Sequence, residues 1–386
     1  MLLSIIPKEP SSASYIIAGI ISLLMIISVW SVRKTPHKLS AEGIVVAVFL
    51  CLLYYLFPMA GSDYYDYKDW VETIGHTDIA SIPRYYLHYE KPYYYIVNIV
   101  QNNYFLFRLV VWGCSLLLYL STAKRLRIDK STFVFYLCIC IVQLTAVSRV
   151  CLAYALAFYG FSFLVEPITK KGSNLVSFVV GSLIIAISVF FHRSALFLLA
   201  VLPLSLLKID KKSIWLLAIA FPFLVIIVNT NIFGYVFNFD QTDASLLDSE
   251  TATYYLDSDK ESILGVGRII ERILKYGGQV VMLFLIVRNI INESFLSWPK
   301  PIQRLANATL LIIVFAASLL LTPGATTYKT FERLIDFVYV PQSLMLAYLL
   351  KWDYDKKMVK IFNALIASYV VYGVLYYNFY FGITDF

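Results

Sequence analysis

Apolar residues arrive in this chain as long unbroken blocks, divided by short polar stretches carrying the charges and most of the prolines. Strand alternation would give a period of two, and a surface helix would give a single apolar stripe. Blocks of about 18 residues instead match a helix crossing ~30 Å of hydrocarbon at 1.5 Å per residue. The pattern predicts helices near 15–32, 42–60, 103–123, 131–148, 150–166, 174–191, 194–208, 212–229, 276–291, 305–322, 337–350 and 360–381. The expected fold is an all-α integral membrane protein: one polytopic bundle of about 12 transmembrane helices over residues 1–386. The 194–208 and 337–350 blocks are short, which suits tilted, broken or partly interfacial helices, and 91–102 adds a helical piece at the membrane surface. The first block, Tyr15 to Val32, reads as a permanent helix, because Lys8 is followed at once by Glu9 and no small-residue cleavage site follows.

Composition supports this pattern. The chain is 60% hydrophobic and 15% charged, with a mean hydropathy of +0.72, whereas soluble domains are nearer half apolar and a quarter charged. Basic residues then set the orientation. With Arg33 and Lys34 in the cytoplasm, the alternating inner loops collect 19 of the 32 Lys and Arg. Most of the 25 acidic residues fall on the other side. Both termini are then expected outside. The net charge of +7 follows from this topology and does not indicate a nucleic-acid partner, for which no motif is present. Cys51, Cys114, Cys138, Cys140 and Cys151 all lie in apolar blocks, so they read as small packing residues rather than a disulfide framework or a zinc site.

Two larger segments are expected outside the bilayer, 61–102 and 229–275. The inner loops are too short for a catalytic domain and hold no glycine-rich nucleotide loop. Any chemistry therefore belongs on the outer face. There the positive-inside bias makes arginine conspicuous. Arg149 lies between two blocks, Arg193 follows His192 at another hairpin, and Arg333 follows Glu332. Arg268, Arg272 and Lys275 fall at i, i+4 and i+7, one helical stripe entering the 276–291 span. Arginine at a helix end ordinarily snorkels to lipid phosphate or pairs with an acid, and Glu271 and Glu332 are close in sequence. Arginine at four separate outer turns points further, to bidentate binding of phosphate or pyrophosphate.

The loop opening Gly61-Ser62-Asp63-Tyr64-Tyr65-Asp66-Tyr67 is rich in tyrosine and carboxylate, and Tyr93-Tyr94-Tyr95 follows. Such rings suit either sugars or an interfacial aromatic belt. Asp63, Asp66 and Asp69 read as a solvated face rather than a metal site. His192 titrates near physiological pH and is a candidate general base, or else an interfacial hydrogen-bonding residue.

The sequence resembles the Wzy-type bacterial polysaccharide polymerases, in particular the EpsG-like branch. The resemblance is carried by Gly61-Ser62-Asp63 with Tyr64 and Tyr67, by Arg149 before Cys151-Leu152-Ala153-Tyr154-Ala155-Leu156-Ala157, by Phe191-His192-Arg193-Ser194-Ala195-Leu196, and by Glu332-Arg333. It implies a processive glycosyltransferase of the bacterial inner membrane, with a helical bundle like that of O-antigen ligases (GT-C-like) and no metal or other cofactor. Such enzymes join oligosaccharide repeats carried on undecaprenyl pyrophosphate at the periplasmic or outer face, in O-antigen, capsule or exopolysaccharide synthesis, and some work with a chain-length regulator. On this reading Arg149, Arg268, Arg272 and Arg333 bind pyrophosphate, His192 or Asp63 takes the acceptor's proton, and Tyr64 and Tyr67 line the sugar path. Rival readings are an O-antigen ligase, a polyprenyl-phosphate-dependent glycosyltransferase and a lipid-linked glycan flippase. Transporters place ionisable residues near the midplane. Here these residues sit mostly at span ends, Arg108 being the main exception.

Overall fold

A computed structural model of the chain describes residues 64–74, 91–128, 148–165, 173–192, 195–229, 266–320 and 334–349, together with Ile16 and Ile20. The spans predicted at 42–60, 131–148 (apart from its last residue) and 360–381, and nearly all of 15–32, lie outside the described residues. Among those described, every regular element is helical. These are α1 Tyr64–Ile74, α2 Lys91–Ile99, α3 Tyr104–Arg125, α4 Ser148–Val165, α5 Ser173–Phe191, α6 Ala195–Leu204, α7 Lys211–Asn229, α8 Val266–Ile291, α9 Lys300–Leu320 and α10 Tyr339–Leu349. Short 3₁₀ turns at Ser294–Ser297 and Asp336–Val338 precede α9 and α10.

Most helices start and stop where the polar punctuation directs. Asn103 caps α3 by accepting from the Leu106 amide at 3.1 Å. At the start of α7 the Asp210 carboxylate accepts from the Ser213 amide (2.9 Å) and hydroxyl (2.8 Å). These bonds hold its pKa below the ordinary value. Buried hydroxyls of Ser115, Thr122, Ser188, Thr309 and Ser343 donate to carbonyls one turn earlier in their own helices. That is how a hydroxyl is accommodated away from water. The predicted 194–208 helix ends early, at Leu204, directly after Pro203. The 276–291 span extends back to Val266 and takes the basic stripe onto the same helix.

Two helices, Tyr104–Arg125 and Lys300–Leu319, are long and apolar enough to cross a bilayer, and Val150–Val165, Leu175–Phe191, Ala195–Leu204 and Tyr276–Ile291 are shorter apolar helices. Their surfaces make the stronger case. On α5, Leu175, Leu183, Ile187 and Phe190 are exposed, and on α7 so are Trp215, Leu216, Ile219 and Phe223. Apolar faces of that extent suit lipid and not water.

At the centre is α4, buried on nearly all sides. It packs against α3, α5, α6, α9 and α10, and Val150, Leu152, Ala153, Tyr154, Ala155, Phe158 and Phe161 are all buried. Its closest neighbour is α5, where Gly160 meets Gly181. A Cβ on either glycine would stand 2.7 Å from the carbonyl oxygen of the other. Without that missing carbon the backbones could not approach so closely, the small-residue device used between membrane helices. At the opposite end of the bundle from Arg149, Arg304 Nη1 donates to Leu207 O at 2.6 Å. Asn307 Nδ2 donates to Ser205 O and Leu207 O, both at 3.0 Å. Carbonyls freed where α6 stops are thereby satisfied by α9.

Gly160→Leu or Gly181→Leu is expected to force α4 and α5 apart and destabilise the bundle by about 3 kcal/mol. Gly113→Leu, where nothing lies within 4 Å of an added Cβ, is expected to leave stability nearly unchanged. Thermal unfolding of detergent-solubilised protein, followed by size exclusion, distinguishes the two outcomes.

Candidate functional site

The Gly160–Gly181 crossing fixes heights along α4 and α5. The two helices run antiparallel, and Arg149 and His192 each lie eleven residues from the crossing on the same side. At 1.5 Å per residue both backbones stand about 16 Å above it. Two residues far apart in sequence are thus placed at one level on neighbouring helices. His192 ends α5, its amide bonding Ser188 O (3.1 Å), and it also leads into α6, its carbonyl accepting from the Ala195 amide (2.9 Å). The residue is half-buried.

A third strand of chain reaches this end through Phe337. Its ring lies 3.8 Å from that of Tyr154 and 6.4 Å from that of Phe197. Tyr154 is five residues into the chain from Arg149, Phe197 is five from His192, and Phe337 is four from Arg333. Phe337 therefore joins α4 and α6 near the end of the bundle at which both begin.

This convergence is recessed. Tyr119 on α3 donates its hydroxyl to Cys151 O on α4 at 3.4 Å. Further along, Arg125 stacks over Phe163 with its guanidinium carbon 3.4 Å from the ring centre. Helices α3 and α4 are therefore parallel, and α4 begins alongside the middle of α3. The first part of α3 projects beyond, and α1 and α2 wrap it. Trp70 packs edge-on against Tyr94 (5.5 Å) and Phe107 (5.9 Å). Tyr93 meets Phe107 at 6.1 Å and, edge-on, Phe191 at 5.7 Å. Leu152 of α4 joins the same cluster. The predicted loop 61–102 thus contains two short helices, and their aromatic core caps the ends of α4 and α5. Asn102, in a left-handed turn at φ 62°, fastens the cap by donating Nδ2 to Glu72 O at 3.4 Å.

Against this frame the sequence candidates divide. Arg149 lies in the first turn of α4 and His192 at the α5–α6 corner, on one level. Tyr64 begins α1, and Tyr67, one turn on, is only 3% exposed within the cap's core. Arg268 and Arg272 lie in the first two turns of α8, a helix that packs on α9 and α7. Asp63 and Arg333 lie outside the described residues. Among the described residues no group of three or more His, Cys, Asp or Glu is placed to hold a metal ion. One residue the sequence reading passed over lies here too. Asp336, three positions after Arg333, opens the 3₁₀ turn that carries Phe337. An acid three residues after a Glu-Arg pair, at the edge of an apolar block, was the available signal.

These features describe a helical protein, consistent with a membrane bundle, that carries an aromatic cap at one end. The sequence profile of the EpsG family matches residues 43–385, and the chain belongs to that family. The family comprises polysaccharide-polymerase-like membrane proteins of broadly glycosyltransferase type. No curated protein and no solved structure gives a match to this chain.

Asn102→Ala is expected to loosen the cap by about 1–2 kcal/mol, through the lost bond and the cost of a left-handed Ala. Asn102→Gly keeps the turn and loses only the bond. Amide exchange over Val71–Ile74 and Tyr93–Val97 should accelerate more for Ala than for Gly, with α9 unaffected in both.

Proposed function

We propose that the protein is a polysaccharide polymerase that joins oligosaccharide repeats carried on undecaprenyl pyrophosphate at the outer face of the bacterial inner membrane. The observation that supports this reading is the junction at Phe337, which joins α4 and α6 near their starts, close along the chain to Arg149 and His192, and lies four residues after Arg333 in the chain. Helix starts favour anions, and arginine forks match pyrophosphate oxygens. A glycosyl pyrophosphate already has a good leaving group, so the enzyme's tasks are to stabilise departing charge and accept one proton. The growing chain moves from its carrier to the non-reducing end of an incoming lipid-linked repeat. Arg149 and Arg333 grip the departing pyrophosphate, with Arg268 and Arg272 recruiting the same group from α8. His192 and Asp63 are the sequence's candidates for the acceptor's proton. Tyr64 offers its ring to the sugar, and Tyr67 anchors the helix that carries it.

In a strain lacking the gene, wild type is expected to restore a surface-polysaccharide ladder on gels. Arg149→Ala and Arg333→Ala should collapse the ladder to single repeats while the protein stays in the membrane, since one lost charge donor costs roughly 10²–10³ in rate. Unchanged ladders in both variants would remove the pyrophosphate grip. Free lipid-linked polymer in the deletion strain would indicate a ligase, and a ladder untouched by deletion would favour a flippase.

A further inference from the structure

We propose that the turn between α6 and α7, together with the start of α9, binds the phosphate of an anionic phospholipid. The site centres on the Leu207 carbonyl, at the end of the bundle opposite Arg149. Arg304 Nη1 donates to that oxygen at 2.6 Å and Asn307 Nδ2 at 3.0 Å. These bonds seat the guanidinium against the backbone of the α6–α7 turn, next to Lys208. Arg304 has five N–H donors, and Leu207 takes one of them. Its side chain is half-buried, and among the described residues no carboxylate lies against it.

Cations come to this point from three elements. Lys208 lies in the turn, Lys211 and Lys212 open α7, and Lys300 opens α9 one turn before Arg304. All four lysines are exposed. Helix α7 packs on α9, so the two starts are neighbours. Neither helix has an acid in its first turn. A lysine at a helix start is opposed by the dipole and by the unpaired amides there, so the helices themselves do not favour this placement. The carboxylates on the same turns are Asp210, which already accepts from the Ser213 amide and hydroxyl, and Glu293. Counting Arg288 in the last turn of α8, six cations stand against two carboxylates. An anion relieves that excess.

The surroundings select a phospholipid as the source of the anion. Leu204 and Leu207 before the turn, and Trp215 and Leu216 in the second turn of α7, are 52% to 68% exposed. Such a border suits hydrocarbon, and tryptophan beside basic residues is a common interfacial anchor. A phosphate that carries acyl chains meets both the donors and the apolar border, whereas a free phosphate meets the donors alone. The planar fork of Arg304 matches two phosphate oxygens, and each lysine near an anionic headgroup strengthens binding about fivefold. A lipid held there ties the α6–α7 turn to α9 at the level of Leu207. The site lies away from Arg149 and His192 and does not depend on the polymerase reading.

The test uses full-length protein in nanodiscs of phosphatidylcholine with an increasing share of phosphatidylglycerol. Thermal unfolding is followed, and the lipid retained on transfer to detergent is identified by native mass spectrometry. Phosphatidylglycerol should raise Tm in a saturable way and be retained in preference to phosphatidylcholine. The double variant Lys208→Gln with Lys300→Gln should require roughly 20- to 30-fold more phosphatidylglycerol for the same rise, with Tm in pure phosphatidylcholine unchanged. Arg304→Lys keeps the charge and loses the fork, so it too should weaken the response. Its Tm in pure phosphatidylcholine reports separately on the bond to Leu207. Lys124→Gln with Arg127→Gln removes the same charge from exposed positions at the end of α3 and should leave the response nearly unchanged. Equal losses in the two double variants overturn the site in favour of diffuse attraction to the membrane surface. Equal retention of the two lipids also overturns it. An equal rise in Tm from inorganic phosphate added to phosphatidylcholine nanodiscs overturns the lipid as the ligand. No glycan enters these measurements, so their outcome is independent of whether the protein polymerises one.

Discussion

The contact between Gly160 and Gly181 governs the arrangement of everything above it. Two helices whose backbones touch cannot slide or rotate freely, so positions many residues away acquire definite relative heights. Arg149 and His192 share a level for that reason. Lipid provides no hydrophobic force to press helices together, and close packing has to supply it. Burial of α4 among α3, α5, α6, α9 and α10 extends this constraint through the bundle.

A second constraint comes from the backbone's need for partners away from water. The end of α6 at Leu204 leaves carbonyls that Arg304 and Asn307 satisfy from α9. At the other end α4 and α6 begin, close along the chain to Arg149 and His192, and the candidate site lies there. The aromatic cap built from Trp70, Tyr93, Tyr94 and Phe107 stands over that end and meets Phe191, the residue before His192. The cap is therefore in direct ring contact with the α5–α6 corner.

Much of the helix pattern was legible without coordinates, because a membrane-crossing block is a local property of twenty residues. The spans predicted at 103–123, 174–191 and 212–229 differ from α3, α5 and α7 by two residues at most at either end. The loop 61–102 was read correctly as aromatic, and its second half as helical, but α1 was not foreseen. Its sequence, Tyr64 to Ile74, mixes aromatic and charged residues, and its helicity depends on docking Trp70 and Val71 against α3. Tyr67 looked like a sugar contact because its type and position fit one; burial at 3% makes it part of the cap's core.

By itself the sequence determined that the chain is helical and apolar, and that arginine, histidine and tyrosine recur at the turns between its apolar blocks. Each of those is decided by nearest neighbours along the chain. Only the tertiary structure decided which of the turns meet. Phe337 joins Tyr154, 183 residues earlier in the chain, and Phe197, a meeting that no local stretch of sequence announces. The physical reason is that hydropathy records how far a segment sits from water, whereas a site depends on which helix faces approach, and that is settled by the volume of side chains and by glycines that have none.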